Sequence, residues 1–332
     1  MMPIIERKYK LYLNKFQSLI LNQMFINSEK LYKIFLEKGV INNSEKLLSQ
    51  YTIKSLYNNA CISKKNAKNN KFKIHTISIS IKDIEIRKNK IYLKNVGYIK
   101  VKPEIRKEKM LLCKIMKSKT NKFYMLFSVK IDNIYINKTN KAIGIDLGLM
   151  DFCVFSNGAK IKNPKYYFKV ENKIKKLQNI RSKKKYMSKE YCKISKSINK
   201  IYEKISNKEN DFLHKLSKNI IFNYDIICLE SLDIKGLMTS SKYKKSINYV
   251  CWFKFIKMLK YKSNIYNKKL VFIDKYYKST QICSNCGNLN NIHSLNIREY
   301  QCIHCEKKLD RDVNAAKNIL REGLKRINIK IK

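Results

Sequence analysis

Two Cys-x-x-Cys pairs, Cys283/Cys286 and Cys302/Cys305, separated by 15 residues, constrain this chain more than any other feature. Thiolates two residues apart can grip one side of a tetrahedral ion, and a hairpin returns the second pair to close it. The spacing is that of a four-thiolate zinc ribbon. With all four positions filled by protein, the zinc is expected to be structural: it activates no water and holds up a small fold too poor in apolar residues to pack alone. A lysine-rich chain without the apolar core of a secretory signal points to a reducing compartment, where thiolates rather than disulfides are expected.

A length of 332 residues suits two or three compact units. With 44% hydrophobic residues, 8 Gly and 3 Pro, the composition is globular rather than disordered. The 72 basic against 25 acidic residues leave a formal charge of +47. Such a charge repels itself in a compact chain, so a polyanionic partner is expected, with nucleic acid the leading class. A genome biased toward Lys, Ile and Asn is the plainer source of lysine. Only eight of the basic residues are Arg, so the chain should hold phosphates more than it reads base edges. No run approaches the apolar length of a membrane span, and no membrane role is expected.

Residues 6–13 alternate polar with apolar and predict a first strand. Leu19, Met24 or Phe25, Leu31, Ile34 and Phe35, then Leu47, Leu48, Ile53 and Leu56, recur at helical spacing with a break near Gly39, Asn42 and Asn43. The stretch 63–73 is polar and basic, a linker or an exposed phosphate-contacting loop. From His75 to Asn137 the period changes to two, in TISISI, IEIRKNKIYL, YIKVKP and FYMLFSVKI, which predicts a β-rich barrel or sheet. Farther on, Tyr191, Ile194, Ile198, Ile201 and Ile205, continued by Phe212, Leu216 and Ile220, form the apolar stripe of long helices with lysines outside. Another helix is expected from Ser246 to about Tyr266, then a strand over 270–274, and a last helix from Val313 to about Lys325.

Three carboxylates stand at the boundaries of these elements. Asp146 lies within the apolar strand AIGIDLG, Glu230 ends the strand YDIICLE, and Asp312 begins the last helix, 166 and 82 residues after the other two. A buried strand tolerates a charge poorly unless it is paired or binds metal. Three such acids in a strand-rich, strongly basic protein suit two-metal phosphodiester hydrolysis, in which carboxylate oxygens hold Mg²⁺. The competing role for Asp312, and for Asp310 beside it, is to cap the helix.

The segments IGIDLG (143–148), LESL around Glu230, STQICSNCG (279–287) and CIHCEKKLDRDVNAAKNI (302–319) resemble the TnpB family of transposon-encoded proteins, relatives of type V CRISPR effectors. The stretch 210–237 is similar as well, and YLKNVGYIKV (92–101) resembles the family's wedge-domain strands. The resemblance implies a multidomain α/β chain: an RNase H-like RuvC nuclease core (138–282 and 306–332) with an inserted zinc ribbon (283–305), preceded by a β-barrel wedge domain (1–15 and 71–137) that carries a short helical recognition insertion (16–70). It implies Mg²⁺-dependent, RNA-guided cleavage of double-stranded DNA, with a guide RNA from the transposon end, in a prokaryotic cytoplasm and at the nucleoid when DNA is bound. By motif match Asp146, Glu230 and Asp312 are the catalytic, Mg²⁺-binding carboxylates, Asp310 is the lesser choice, and Cys283, Cys286, Cys302 and Cys305 hold structural zinc. Glu306 replaces the glycine usual after the last cysteine pair.

The alternative is an RNA-guided DNA-binding repressor, or a transposon accessory protein, with little or no cleavage; such proteins are expected to have lost an active-site acid. Single-strand transposase chemistry finds no support, since His75, His214, His293 and His304 are scattered and form no His-hydrophobic-His motif. The oligomeric state leaves no trace in the sequence.

Overall fold

Alternation at period two makes strands of the first third of the chain, and a shift to i, i+3, i+4 spacing makes helices within it. The computed structural model describes residues 3–38, 47–65, 74–102, 104–105, 108–233, 236, 249–290 and 298–328. The break expected at Gly39, Asn42 and Asn43, most of the basic stretch 63–73, the helix start expected at Ser246, and His293 lie outside the described residues. The chain forms two compact units, Met1–Asp132 and Asn133–Lys332.

In the first unit, strands β1 (Ile4–Tyr12), β2 (Thr76–Ile79), β3 (Ile84–Arg87), β4 (Lys90–Leu93), β5 (Gly97–Lys102), β6 (Lys109–Lys117) and β7 (Phe123–Lys130) form an antiparallel sheet. Their order is β2-β6-β7-β1-β5-β4-β3, and no described residue pairs β2 with β3 to close it. Helices α1 (Lys15–Lys38) and α2 (Gln50–Lys65) pack on this sheet, Leu21, Phe35, Ile53 and Leu56 sharing one core with Ile77, Ile99, Ile115 and Met125. Asn14 and Gln17 form a reciprocal capping box at the start of α1, each side chain accepting the other's backbone N–H at 2.8 and 3.1 Å. Two expectations need correction. Leu19 and Ile34 are exposed, because the buried stripe of α1 runs through Leu21, Met24, Phe25, Leu31 and Phe35. Strand β6 escaped notice because KMLLCKIMK breaks strict alternation at Leu111 and Leu112, where the pairing register also shifts.

In the second unit, β8 (Ala142–Leu147), β9 (Asp151–Phe155), β10 (Lys160–Lys162), β11 (Ile226–Glu230) and β12 (Lys269–Ile273) form a mixed sheet of order β10-β9-β8-β11-β12. β9 is antiparallel to β8 and β10, whereas β8, β11 and β12 are parallel. Parallel strands buried on both faces read as continuous apolar runs, which is the character of AIGI and IICL. Between them lie α3 (Glu171–Ser182) and α4 (Lys189–Asn223), and between β11 and β12 lies α5 (Trp252–Ile265). The residues Ile143, Ile145, Ile227 and Leu229 face a core shared with Leu213, Ile220, Trp252 and Phe255 of α4 and α5.

The other face of β8 and β11 carries Gly144, Asp146, Cys228 and Glu230, by the alternation of the pleat. Helix α6 (Arg311–Arg326) lies across it. The approach is so close that a Cβ on Gly144 would stand 2.1 Å from the Ala316 carbonyl oxygen, and one on Gly323 would stand 2.4 Å from Cys228 Sγ. A glycine is required at each contact, one on the sheet and one on the helix. Gly144→Ala should therefore push α6 off β8 and cost about 3 kcal/mol of stability. A denaturant midpoint equal to wild type would show that α6 does not need this approach.

Candidate metal centres

Parallel pairing of β8 with β11 sets Leu229 opposite Ile145. The next residue on each strand is an acid, so Asp146 and Glu230 sit side by side at the carboxyl end of the sheet and on one face. Asp312 enters from above, in the first turn of α6, one turn before the Ala316 carbonyl that touches Gly144. Burial, then the charges of Asp312 and Glu230, push the Asp146 carboxyl up to about 7, with Arg311 pulling the other way. Burial alone raises Glu230 to about 7. Carboxylates raised in this manner form a site short of positive charge, and oxygen donors of this kind suit a hard divalent cation.

The two neighbouring aspartates divide their tasks. Asp310 caps α6, its Oδ1 accepting from the backbone N–H of Asp312 and Val313 at 3.1 and 2.9 Å, while its other oxygen accepts from Lys160. Burial opposes ionisation of Asp310, but Lys160 and the two amides outweigh it and hold its carboxyl below the usual range. Asp312 is free of capping. It is ion-paired instead, with Arg298 at 2.6 Å and Arg311 at 3.3 Å. Arg311 is adjacent in sequence, but nothing in the sequence pointed to Arg298, which the hairpin brings back when the Arg311 amide bonds its carbonyl at 2.8 Å.

The four cysteines form a second centre. Their Sγ atoms all lie within 4.8 Å of one another, and among the described residues they are the group of metal-type ligands gathered this tightly. Cys283 and Cys305, and Cys286 and Cys302, are each 3.7 Å apart. The knuckles are built alike: the Gly287 amide bonds the Cys283 carbonyl, and the Glu306 amide bonds the Cys302 carbonyl, both at 2.9 Å. Glu306 takes a left-handed φ of 55° where a glycine carries no steric cost. Burial disfavours the Cys302 thiolate, but the amides of His304 and Cys305 outweigh it and bring the thiol down to about 6. Soft thiolates presented in this way fit a zinc ion.

Two asparagines that sequence reasoning passed over bolt this cluster to α6. Asn314 accepts from the Ser284 amide and donates to the Ile282 carbonyl, both at 2.7 Å, and Asn318 donates to the Ser279 carbonyl at 2.8 Å. Both are almost fully buried. The available signal was a pair of poor helix formers four residues apart on one face, which a helix keeps only where the amides find partners. The ribbon is held from its other end too, since β14 (Lys308–Asp310), paired with β13 (Glu299–Gln301), runs directly into the Asp310 cap.

A family model described as "Probable transposase" (OrfB_IS605) matches residues 127–241, and one for the Cas12f1-like TNB domain matches 252–319. A protein of Streptomyces pristinaespiralis provisionally named an RNA-guided DNA endonuclease is 34% identical over 186 residues, 56% of this chain and 46% of its own length. The TnpB-like protein L770 of Acanthamoeba polyphaga mimivirus is 29% identical over 285 residues, 77% of this chain and 52% of the relative. The chain spans about half the length of these curated relatives. Among solved structures, one determined as a Cas12f1-sgRNA-target DNA complex matches with a TM-score of 0.51 over 91% of this chain and 80% of that one, at 14% identity, a likeness of fold.

Two outcomes are expected. The folded-state pKa of Asp146 lies above the unfolded value, so its contribution to stability is fully present below about 4 and is lost as pH rises through about 7. In the absence of divalent ions the thermal midpoint of wild type should thus fall, relative to Asp146→Asn, between about pH 4 and 7; parallel curves would remove the account of Asp146 as a carboxylate strained by burial. Cys302→Ser should open the 283–310 region to protease and release bound zinc, since metal binding there is folding energy. Undiminished protease resistance would rule out a structural ion.

Proposed function

Because this chain belongs to the TnpB family, we propose that it is an RNA-guided DNA endonuclease that hydrolyses phosphodiesters at Asp146, Glu230 and Asp312. The observation that carries this reading is the convergence of three acids, from three elements far apart in sequence, on a site where burial raises both Asp146 and Glu230 to about 7 and the charges of Asp312 and Glu230 add to the rise at Asp146. A fold maintains such a cost where a cation is to be bound. In this reading the second unit is a RuvC-like, RNase H-like core around an inserted zinc ribbon, with bounds 138–282, 306–332 and 283–305. The strands 1–15 and 71–137 act as a wedge barrel, and 16–70 as a reduced recognition insertion.

Asp146, Glu230 and Asp312 would hold Mg²⁺, which when bound orients an attacking water and stabilises the leaving oxygen. The chain's own groups prepare the rest. Arg298 and Arg311, already at Asp312, place positive charge where the phosphate must lie. Asp310 fixes the first turn of α6 and so the direction from which Asp312 enters. Cys283, Cys286, Cys302 and Cys305 would hold a structural zinc that activates no water, leaving the ribbon to support α6. The surplus of 47 positive charges favours long contacts to nucleic-acid backbone. The partners are a guide RNA derived from the transposon end and a matched double-stranded DNA, met in a prokaryotic cytoplasm at the nucleoid. Among the described residues no helix is long and apolar enough to cross a membrane.

The experiment is to sequence the RNA that co-purifies with the protein and to offer duplex DNA matched to it, with Mg²⁺. Wild type should cut, while Asp146→Ala should bind the same RNA and lose at least about a hundredfold in cleavage rate. If wild type binds matched DNA tightly and leaves it whole, the endonuclease reading fails and a guided repressor takes its place.

A further inference from the structure

Helix α4 is far longer than the sheet it serves. Its C-terminal end meets the start of β8, where the Asn157 side chain donates to Tyr224 Oη at 3.3 Å and the Ser156 amide bonds the Gly144 carbonyl. Twelve residues earlier, the Phe212 ring lies 5.3 Å from that of Phe152. Phe152 sits just past the Leu147–Cys153 pair, at the end of the sheet that carries Asp146 and Glu230. α4 therefore runs from the carboxylate end to the opposite end, and everything before Phe212 extends beyond the carboxylates. From Lys189 to Phe212 that is about 35 Å at 1.5 Å per residue.

This projecting arm, α3 paired with the first part of α4, carries two features that packing does not explain. Lys189, Lys193, Lys196, Lys200, Lys204 and Lys208 recur every three or four residues, so they form one stripe along one face, and all six are exposed. Among the described residues none of the six closes an ion pair; the Glu190 carboxyl, bound by Lys184, is the acid whose pKa one of them, Lys193, also helps to lower. A stripe of like charge repels itself and costs the helix stability. At the tip, between α3 and α4, Tyr186 and Met187 are 75% and 65% exposed, beside Lys183 and Lys185. The ring of Tyr186 leans on Tyr191 at 5.2 Å, and the Arg181 guanidinium stands 5.6 Å from the centre of the Tyr191 ring. An aromatic held in place yet open to solvent, among cations, is a platform on which a base can stack.

We infer that the α3–α4 arm holds, as a single strand, the DNA that continues from the scissile phosphate, the lysine stripe tracking its backbone and Tyr186 stacking a base at the far end of the arm. The inference rests on the carboxylate end of the sheet being where DNA is cut. The charge of the stripe selects a polyanion; α4 packs on the face opposite Asp146 and Glu230 but projects past the end of the sheet that carries them, which favours the substrate strand over the guide.

The test reads binding without cleavage, so that it does not share the fate of the endonuclease reading. Full-length protein carrying Asp146→Asn is titrated in the absence of Mg²⁺ with labelled single-stranded DNA long enough to span the arm, and with RNA of the same sequence, at several salt concentrations. Lys193→Gln, Lys196→Gln, Lys200→Gln and Lys204→Gln together, which keep good helix formers on a solvent face, should weaken DNA binding by roughly tenfold or more and lower the salt slope by about 3, at about 0.7 per phosphate contact. Tyr186→Ala should lose about fivefold or more, and Tyr186→Phe should bind as the parent. Unchanged DNA affinity in the lysine variant, with helicity intact, overturns the proposal. So does a loss confined to RNA, which would make the arm a guide surface. If the arm variants bind normally while wild type cuts, the arm fails alone; if DNA binding falls as expected and wild type never cuts, the nuclease reading fails alone.

Discussion

The contact between the Ala316 carbonyl and the bare Cα of Gly144 governs the second unit. A helix packed at ordinary distance on a sheet would leave its first turn too far out for Asp312 to share a field with Asp146 and Glu230. With side chains absent at Gly144 and Gly323, α6 settles almost onto the strands, and the charge of Asp312 is felt at Asp146. The chemistry of the site is thus set by what two residues lack. On that face the closest approach falls on Gly144 and Cys228, while the larger apolar side chains, Val271 and Ile273, come from β12 and pack with Ile319 of α6.

Much of this was legible beforehand, for reasons that can be traced. The cysteine spacing specified a knuckle geometry with few alternatives, and the structure gathers all four thiols. Asp146 and Glu230 stood out because each interrupts an apolar run, which is costly enough to need a purpose. Position alone lets either Asp310 or Asp312 cap the helix, and only the resemblance favoured Asp312 as the third acid; the hydrogen bonds give the cap to Asp310. What could not be read was everything that depends on chain reversal. Arg298 reaches Asp312 only through the hairpin, Lys160 reaches Asp310 from another strand altogether, and Asn314 and Asn318 looked like ordinary surface residues until the knuckle was laid against them. In the first unit the exposed Leu19 and Ile34 show the limit of periodicity: α1 has more apolar residues than its buried stripe can use, and counting does not say which are spare.

The ribbon and the carboxylates are neighbours in sequence but not in chemistry. One centre offers soft sulfur and the other hard oxygen, so the two do not compete for the same ion. They are joined mechanically. Strand β14 ends on the residue that caps α6, and Asn314 and Asn318 clasp the first knuckle from one helical turn farther along. The direction of Asp312 is therefore fixed from both sides by a hairpin too small to fold on apolar packing alone.

The order of the chain adds a temporal side to this arrangement. Asp312 is synthesised 166 residues after Asp146, and the helix that bears it is also the cover for the polar face of β8 and β11. A chain still emerging from the ribosome can pair those strands and present two acids, yet it lacks the third acid, the cover and the hairpin that aims them. Pairing of such distant segments is slow by topology. In a nascent chain the three acids are therefore not yet together, and they become so only when the hairpin has formed and α6 has come down on Gly144.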